Sequence, residues 1–372
     1  MTRTLADPWQ LGSLCVPNRV MLAPLAGIGN WFVRLQAKRF GAGMAVSEMV
    51  SSHAIHYGNR KTCTEMLRID PREREPTPPT PPALGGVGGP VSIQLFGEDP
   101  AIMRSAAAQV VAAGADAIDI NMGCPVPKVR RTGAGAALLE DPERAVAVAR
   151  AAVQGAREGA RARTDANTAT QLGDGQVGAT EPPVTVKLRS GLRPGEESGF
   201  ELAHRLVADA GVAAIGFHPR SAAVHHKGVP DYQLAARLVA SLPAPVILTG
   251  GMDDADGVRE ALASTGAAAV MLARGALGNP WLFSELLDGR TREPTRAQVL
   301  AELRWTIARA IEHLGEQRAT RYLRKFYPWY VPRLRLDASA AKNLQEALQS
   351  APTLACVHEL LELACRPAAL AV

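Results

Sequence analysis

The sequence predicts a (β/α)8 (TIM) barrel followed by a small all-helical domain. Eight short apolar runs, most of them rich in β-branched residues, recur along the chain, and helical segments follow most of them. Strands that alternate with helices pair in parallel through crossovers, and eight such units close into a barrel. The predicted strands are Val20–Ala23, Met44–Ser47, Val91–Leu95, Ala117–Asn121, Val184–Leu188, Ala213–Phe217, Pro245–Thr249 and Ala269–Ala273.

A doubly wound open sheet is the main structural alternative. That fold would place a Gly-rich dinucleotide turn after the first strand. The chain instead reads Pro24-Leu25-Ala26-Gly27-Ile28-Gly29 there, which favours the barrel. The predicted helices between strands are Asp99–Ala113, Asp141–Val153, Gly199–Ala210, Tyr232–Ser241 and Asp253–Ser264.

The pattern divides the chain into a barrel domain at residues 1–288 and a helical domain at residues 289–372. Two segments interrupt the barrel, one at about residues 75–90 that is dense in Pro and Gly, and one at about 155–183 that is polar and rich in Ala, Gly and Thr. We expect both to be flexible insertions. Each precedes a strand, so each should emerge at the bottom of the barrel, away from the catalytic loops.

Composition limits the possible classes of protein. The 372 residues are 47% hydrophobic and 21% charged, which excludes a wholly disordered or collagenous chain. No apolar stretch is long enough to span a membrane, and Met1–Leu11 has no signal-peptide core, so we expect a cytoplasmic protein. Five cysteines without close pairs favour neither a disulfide framework nor a metal site, and no obligate protein partner is evident. The net charge of +5 permits a polyanionic partner.

The residues at the ends of the predicted strands should share one barrel mouth, where enzymes of this fold place their chemistry. Every strand end except the first carries polar or glycine residues, and this convergence predicts a site. The strand-end residues are Pro24-Leu25-Ala26, Glu48, Gln94, Asn121 with Cys124, Lys187 with Arg189, His218 with Arg220, Gly250-Gly251, and Arg274-Gly275.

The last two strand ends are typical of a phosphate site. Barrel phosphate sites usually lie in the loops after strands seven and eight, which here carry Gly250, Gly251 and Arg274. Glycines let backbone N–H groups approach a phosphate, and a guanidinium binds its oxygens in a bidentate manner. The alternative is that these glycines are ordinary turn residues.

Two other strand ends favour a flavin. A buried lysine such as Lys187 needs a partner, and a flavin ring offers acceptors at N1 and O2. Gln94 could bind the same polar edge, although both residues could simply face solvent at the rim. Cys124 lies in a tight Gly-Cys-Pro loop at the mouth, where an acid could protonate a carbon while hydride arrives from the opposite face. The alternative is an inert cysteine.

Six segments that together span nearly the whole barrel carry recognisable motifs. They are LAPLAGIGNWFVR at Leu22–Arg34, SEMVSSHAI at Ser47–Ile55, SIQLFG at Ser92–Gly97, NMGCPVPKVRRTGAGAALL at Asn121–Leu139, VKLRSG at Val186–Gly191 and VMLARGALGNPWLF at Val270–Phe283. These segments resemble the tRNA-dihydrouridine synthases, flavoenzymes that reduce uridine in tRNA, and within them the bacterial B-type branch. The NMGCP and TGAGAALL pair is the most specific.

The resemblance implies FMN as cofactor, NADPH as its reductant, tRNA as substrate and Cys124 as general acid. It implies that Asn121 and Arg189, together with Lys187, hold the target uracil. The residues implied to bind FMN are Pro24, Leu25, Ala26, Gln94, Lys187, His218, Thr249, Gly250, Gly251, Ala273 and Arg274.

Two departures from the family pattern stand out. The seventh strand commonly ends Asn-Gly-Asp, whereas this chain has Thr249-Gly250-Gly251 and so lacks the Asp side chain. The segment after His218 also differs, with Val224 and His226 where Gln and Tyr are usual. Substrate contacts in that loop are therefore in doubt.

A basic and aromatic segment in the helical domain predicts an RNA-binding surface. Arg318, Arg321, Arg324 and Lys325 are spaced so that three or four share one helix face. Phe326, Tyr327, Trp329 and Tyr330 follow, and cations beside aromatics suit phosphate contacts and base stacking. The alternative is a solvated basic face over an ordinary aromatic core.

Two rival functions stay open. An FMN barrel oxidoreductase of the dihydroorotate dehydrogenase kind, acting on a free pyrimidine or another small molecule, shares the fold and flavin but leaves the basic helices unexplained. An RNA-binding protein whose barrel has lost its chemistry would purify colourless.

Overall fold

The structure, a computed structural model, describes residues 4–75, 88–170 and 181–365. Eight parallel strands close into a barrel in the order β10-β3-β4-β5-β6-β7-β8-β9, which confirms the predicted fold. Strands β1 and β2 form a separate antiparallel hairpin. The strands are β1 (Trp9–Leu11), β2 (Leu14–Val16), β3 (Val20–Leu22), β4 (Met44–Ser51), β5 (Val91–Phe96), β6 (Ala117–Met122), β7 (Val184–Arg189), β8 (Ala214–His218), β9 (Val246–Thr249) and β10 (Ala269–Leu272).

Helices surround the barrel and continue beyond it to form the C-terminal region. Those after residue 289 confirm the predicted helical region, while its limits as a domain stay a prediction. The helices are α1 (Trp31–Arg39), α2 (Ser52–His56), α3 (Pro100–Ala112), α4 (Pro127–Arg130), α5 (Pro142–Thr170), α6 (Ser198–Ala210), α7 (Tyr232–Ser241), α8 (Ala255–Thr265), α9 (Trp281–Asp288), α10 (Arg296–Leu314), α11 (Glu316–Leu323), α12 (Tyr327–Tyr330), α13 (Ala338–Ser350) and α14 (Leu354–Cys365).

The β1–β2 hairpin closes the amino end of the barrel. Trp9, Leu11 and Val16 are buried against inward-facing barrel residues such as Met21 and Met271. Burial of these large side chains removes apolar area from water and fills the bottom of the barrel. The open end is therefore the carboxyl end of the strands, where the predicted site residues lie.

Helix α5 is longer than predicted. It runs to Thr170, so residues 155–170 are helical where the sequence predicts the start of a flexible insertion. The reason is packing: a Cβ added at Gly155 or Gly159 would lie 2.1 Å from the Arg104 carbonyl or 2.3 Å from the Ala108 carbonyl. These glycines let α3 and α5 approach closely. Residues 76–87 and 171–180, the other parts of the predicted insertions, lie outside the described residues.

A buried ion pair fixes the segment between α2 and β5 against α1. The Arg34 guanidinium binds the Glu73 carboxylate through two hydrogen bonds of 2.7 and 2.8 Å, and both side chains are fully buried. Lys38 donates to the Glu73 carbonyl at 2.9 Å, and burial lowers the pKa of Lys38 to about 7. This segment forms part of a surface groove described below.

Glu73→Gln should lower the free energy of unfolding by ~3–5 kcal/mol, because it leaves the Arg34 charge buried without its counter-ion. Urea denaturation followed by circular dichroism measures the change. Glu293→Gln is the matched control, since Glu293 pairs with Arg335 at an exposed site and its loss should cost about 1 kcal/mol or less. Equal effects of the two substitutions would contradict the prediction.

Candidate functional site

A cavity of about 180 Å³ opens at the carboxyl ends of β3, β7, β8, β9 and β10. The structure thus brings together most of the side chains predicted to bind a cofactor, and Arg189 with them. The predicted residues that line the cavity are Pro24, Lys187, Arg189, His218, Thr249, Gly250, Gly251, Ala273 and Arg274.

Positive charge dominates this cavity. Lys187, Arg189, Arg220 and Arg274 line it, whereas Asp253 supplies the only carboxylate among the lining residues of the described chain. Burial, and next the charge of Arg189, lower the pKa of Lys187 to about 8. The Lys187 ammonium has no hydrogen-bond partner among the described residues. The cavity is therefore suited to an anion or a ligand rich in acceptors.

His218 is neutral at the centre of these cations. Burial lowers its pKa most, and the charges of Lys187, Arg189, Arg220 and Arg274 lower it further. The His218 Nε2 lies 3.2 Å from Nη1 of Arg220. A guanidinium only donates, so Nε2 accepts and the imidazole proton is assigned to Nδ1. His218 can thus donate one hydrogen bond without adding charge.

The loop after β9 approaches the cavity closely. Gly250 and Gly251 both have a positive φ, at +100° and +76°. A Cβ on Gly250 would lie 2.3 Å from His218 Cδ2, and one on Gly251 would lie 2.7 Å from the Tyr232 hydroxyl. Only glycine fits both positions without rearrangement, so backbone groups form this side of the cavity.

Arg189 ties two loops together. Its Nε donates to the Gly123 carbonyl at 3.0 Å, and its Nη1 donates to the carbonyls of Ser221 at 3.0 Å and His225 at 2.6 Å. Burial lowers the pKa of Arg189 to about 10. The guanidinium therefore holds the cysteine loop against the loop after β8, and Nη2 has no hydrogen-bond partner among the described residues.

The Cys124 loop has a defined backbone geometry. The Asn121 Oδ1 accepts the N–H groups of Gly123 at 3.2 Å and of Cys124 at 2.9 Å. Ala136 donates its N–H to the Cys124 carbonyl at 3.0 Å, and Gly135, at a φ of +65°, packs so closely that a Cβ would lie 2.9 Å from the same oxygen. The two specific motifs of the sequence are thus one structural unit.

A buried polar chain extends from this loop into the barrel. Asn121 Nδ2 donates to Gln94 Oε1 at 2.9 Å, and Gln94 Nε2 donates to Asp119 at 2.6 Å. Thr185 donates to the other oxygen of the Asp119 carboxylate at 2.5 Å. Burial raises the pKa of Asp119 to about 6, against the lowering effects of these hydrogen bonds and of Lys187. Asp119 was not among the predicted site residues. An acid within an otherwise apolar strand is the sequence feature that could have indicated it.

Five of the barrel-mouth residues predicted to bind FMN or the uracil, or to act as the acid, lie outside the cavity lining. Leu25 is buried and Ala26 exposed in the loop after β3. Gln94 and Asn121 belong to the buried polar chain. Cys124 is half-buried and follows Gly123, whose carbonyl accepts a hydrogen bond from Arg189.

A second cavity, of about 400 Å³, lies between the barrel and helices α10 and α11. Arg318, Arg321 and Lys325 line this groove, together with Lys61 of the barrel, which the sequence analysis missed. Arg318 is paired with Glu65 at 2.9 and 2.6 Å. We call this cavity the interdomain groove. Three of the four predicted cations therefore share one face.

The other predicted features of this segment differ in the structure. Arg324 does not line the interdomain groove, since its guanidinium donates to the Ala351 carbonyl at 3.4 Å. Phe326, Tyr327 and Tyr330 are buried, and Trp329 is half-buried. The prediction of base stacking is wrong for Phe326, Tyr327 and Tyr330, because these three side chains are buried between the helices and the barrel.

A family model and curated relatives match this chain over most of its length. The family model described as "Dihydrouridine synthase (Dus)" matches residues 21–158 and 152–365. The chain belongs to the dihydrouridine synthase family. It is 34% identical over 326 residues to tRNA-dihydrouridine synthase B of Xanthomonas axonopodis, covering 86% of each chain. It is 30% identical to the B enzyme of Shewanella oneidensis, covering 95% of this chain and 97% of that one.

Solved structures resemble this chain more distantly. Morphinone reductase matches with a TM-score of 0.48 and 18% identity over 80% of this chain and 94% of the other. Within the described residues, no helix has the length and apolar character needed to cross a membrane. Among the same residues, no group of three or more His, Cys, Asp or Glu side chains is arranged to hold a metal ion.

Asn121→Ala should make Cys124 react faster with iodoacetamide, because the loop loses the acceptor for two of its N–H groups and opens to solvent. We expect a rate increase of about threefold or more, since each lost hydrogen bond is worth ~1 kcal/mol. Mass spectrometry of alkylated peptides measures it, with the exposed Cys15 and Cys63 as standards within the same sample. An unchanged ratio of Cys124 to these standards would argue against this role of Asn121.

Proposed function

We propose that this chain is an FMN-dependent tRNA-dihydrouridine synthase that reduces the C5–C6 double bond of uridines in tRNA with NADPH. The observation that carries the proposal is the position of the Cys124 loop, which Arg189 ties to the cation-lined cavity at the same barrel mouth. Family membership over nearly the whole chain supports the same reaction.

The residues at the mouth fit FMN. Arg274 and the backbone N–H groups of Gly250 and Gly251 suit a phosphate, because the glycines leave no side chain in the way. The unpaired Lys187 ammonium and the neutral donor of His218 suit the acceptors of a flavin ring. Pro24, Leu25, Ala26, Gln94, Thr249 and Ala273 complete the proposed FMN-binding set.

When reduced by NADPH, bound FMN would supply the hydride that C6 of the uracil accepts. Cys124 would donate the proton to C5, and its thiolate would then be reprotonated from solvent. Lys187 and Arg189 lie close enough to interact electrostatically with Cys124, so two positively charged groups flank the proposed acid. Arg189 would hold the uracil through Nη2. Asn121 would hold it through the second N–H of its Nδ2, which in the structure faces the Met49 sulfur at 3.8 Å.

The interdomain groove supports tRNA as the substrate. Its cations would bind the phosphate backbone, and such contacts account for most sequence-independent affinity for nucleic acid. A uridine must leave its stack to reach the barrel mouth, so base flipping is part of this proposal. Arg324, which lies away from the groove, is proposed to contact RNA outside it.

Cys124→Ala should slow dihydrouridine formation by ~10²–10⁴-fold, the usual contribution of a general acid. The measurement is mass spectrometry of tRNA lacking dihydrouridine after incubation with the protein, FMN and NADPH, where each reduction adds two hydrogens. Cys15→Ala, at the opposite end of the barrel, is the matched control and should react at the wild-type rate.

The outcomes separate the rival functions. Reduction of tRNA by wild-type protein and by Cys15→Ala, with slow reduction by Cys124→Ala, supports the synthase. Oxidation of NADPH by flavin-bound protein without any mass gain on tRNA would favour an oxidoreductase of small molecules. A purified protein that binds tRNA but no flavin would favour an RNA-binding protein without redox chemistry.

Arg274→Ala should raise the Kd for FMN by ~10–100-fold and leave the Kd for riboflavin nearly unchanged. The reason is that riboflavin lacks the phosphate, and a charge-assisted hydrogen bond is worth ~1.5–3 kcal/mol. Fluorescence quenching of each flavin measures the two affinities. Arg104→Ala, which removes an exposed pair with Glu158, is the control. Equal losses for FMN and riboflavin would place Arg274 away from the phosphate.

A further inference from the structure

Tyr57 is exposed in a way that packing does not explain. Its side chain is 73% exposed, and it is the only aromatic among the large hydrophobic side chains exposed in the described part of the chain. Helix α2 starts directly after β4, so Tyr57, which follows α2, lies on the same face of the barrel as the Cys124 loop. An exposed aromatic side chain on the substrate face of an enzyme is a candidate for ligand contact.

The Tyr57 ring is held in place despite its exposure. The His56 ring packs edge-on against it, with 4.8 Å between ring centroids and 78° between planes. Nδ1 of His56 is hydrogen-bonded at 2.8 Å to the Ser105 hydroxyl of α3. Gly58, at a φ of +65°, ends the turn and donates its N–H to the Ile55 carbonyl at 2.9 Å. A ring held in this way loses little conformational entropy when a flat ligand binds.

Positive charge adjoins Tyr57. Arg60 and Lys61 are exposed, and Lys61 lines the interdomain groove with Arg321 and Lys325. Three acids lie nearby. Glu65 is paired with Arg318, Glu98 lies 3.7 Å from His53, and Glu48, which lines the groove, accepts the N–H of Gly27 at 2.8 Å. Tyr57 therefore lies three and four residues before two exposed cations, one of which lines the groove. An aromatic face beside cations is an arrangement that binds unpaired nucleotides. The charge favours a polyanion over a protein partner as the occupant.

We propose that Tyr57 is a stacking platform for an unpaired base of the substrate RNA, next to the interdomain groove that binds its phosphates. The inference rests on the proposed function and assigns to it a base-contacting residue. Flipping of the target uridine interrupts the stack of its neighbours, and an aromatic face can replace the lost stacking for any base. The buried aromatics of the C-terminal helices cannot do this.

The test uses FMN-loaded protein and a tRNA transcript, which lacks dihydrouridine. Fluorescence anisotropy gives the Kd, and mass spectrometry gives the rate of reduction at saturating tRNA. Tyr57→Ala should raise the Kd by ~10-fold or more, in the range found when a stacking aromatic is removed. Tyr57→Phe and Tyr57→Trp, which keep an aromatic face, should stay within about twofold of wild type. Gln10→Ala, at an exposed position of the β1–β2 hairpin at the opposite end of the barrel, is the control and should change nothing.

Other results would overturn the inference. A Kd unchanged by Tyr57→Ala rules out the contact, and a Phe variant as weak as the Ala variant would assign the effect to the hydroxyl. Rescue by Tyr57→Lys would indicate a phosphate contact in place of stacking. A lower Tm of Tyr57→Ala that also appears in the Phe and Trp variants would indicate a structural role. Tight tRNA binding by wild-type protein without reduction overturns the proposed synthase function alone, whereas absence of binding overturns both.

Discussion

The Arg189 guanidinium donates to backbone carbonyls of two loops, and the shape of the barrel mouth depends on these hydrogen bonds. Four cations share this mouth with little carboxylate to balance them, so their desolvation must be offset by dipoles. Carbonyl groups supply those dipoles, as they also do where Arg220 donates to the Gly228 carbonyl at 2.7 Å. The cations that line the barrel mouth therefore also fix the loops around it.

Buried polar contacts also fix the C-terminal helices against the barrel. Gln36 donates to Glu302 at 2.7 Å and to the Tyr330 hydroxyl at 2.9 Å, so a buried polar cluster joins α1 to the C-terminal helices. Asn30 donates to the Tyr322 hydroxyl at 2.6 Å nearer the mouth. Buried polar groups cost free energy unless every partner is in place, so these contacts specify one orientation of the helices. That orientation creates the interdomain groove.

Sequence reasoning found the barrel because β-branched runs and turn residues act locally, and each predicted strand lies within a few residues of an observed one. It failed for residues whose structural role depends on packing against parts of the chain that are distant in sequence. Gly155 and Gly159 suggested flexibility, but they mark the close contact of α3 with α5. The aromatics after Lys325 suggested stacking, but three of the four are core. Tyr57 carried no signal at all, because the sequence does not reveal that its ring is exposed.

The loop after β9 shows how this chain compensates for a departure from the family pattern. Where the pattern has Asp, Gly251 takes a φ of +76°, and the Tyr232 hydroxyl occupies the space that a side chain there would need. That hydroxyl donates to the Gly250 carbonyl at 3.0 Å and so holds the backbone of the loop. The missing carboxylate would have offset part of the positive charge at the mouth. Its absence leaves Asp253 as the one acid on the lining in the described residues, so the potential at the mouth is more positive than an Asp at this position would make it.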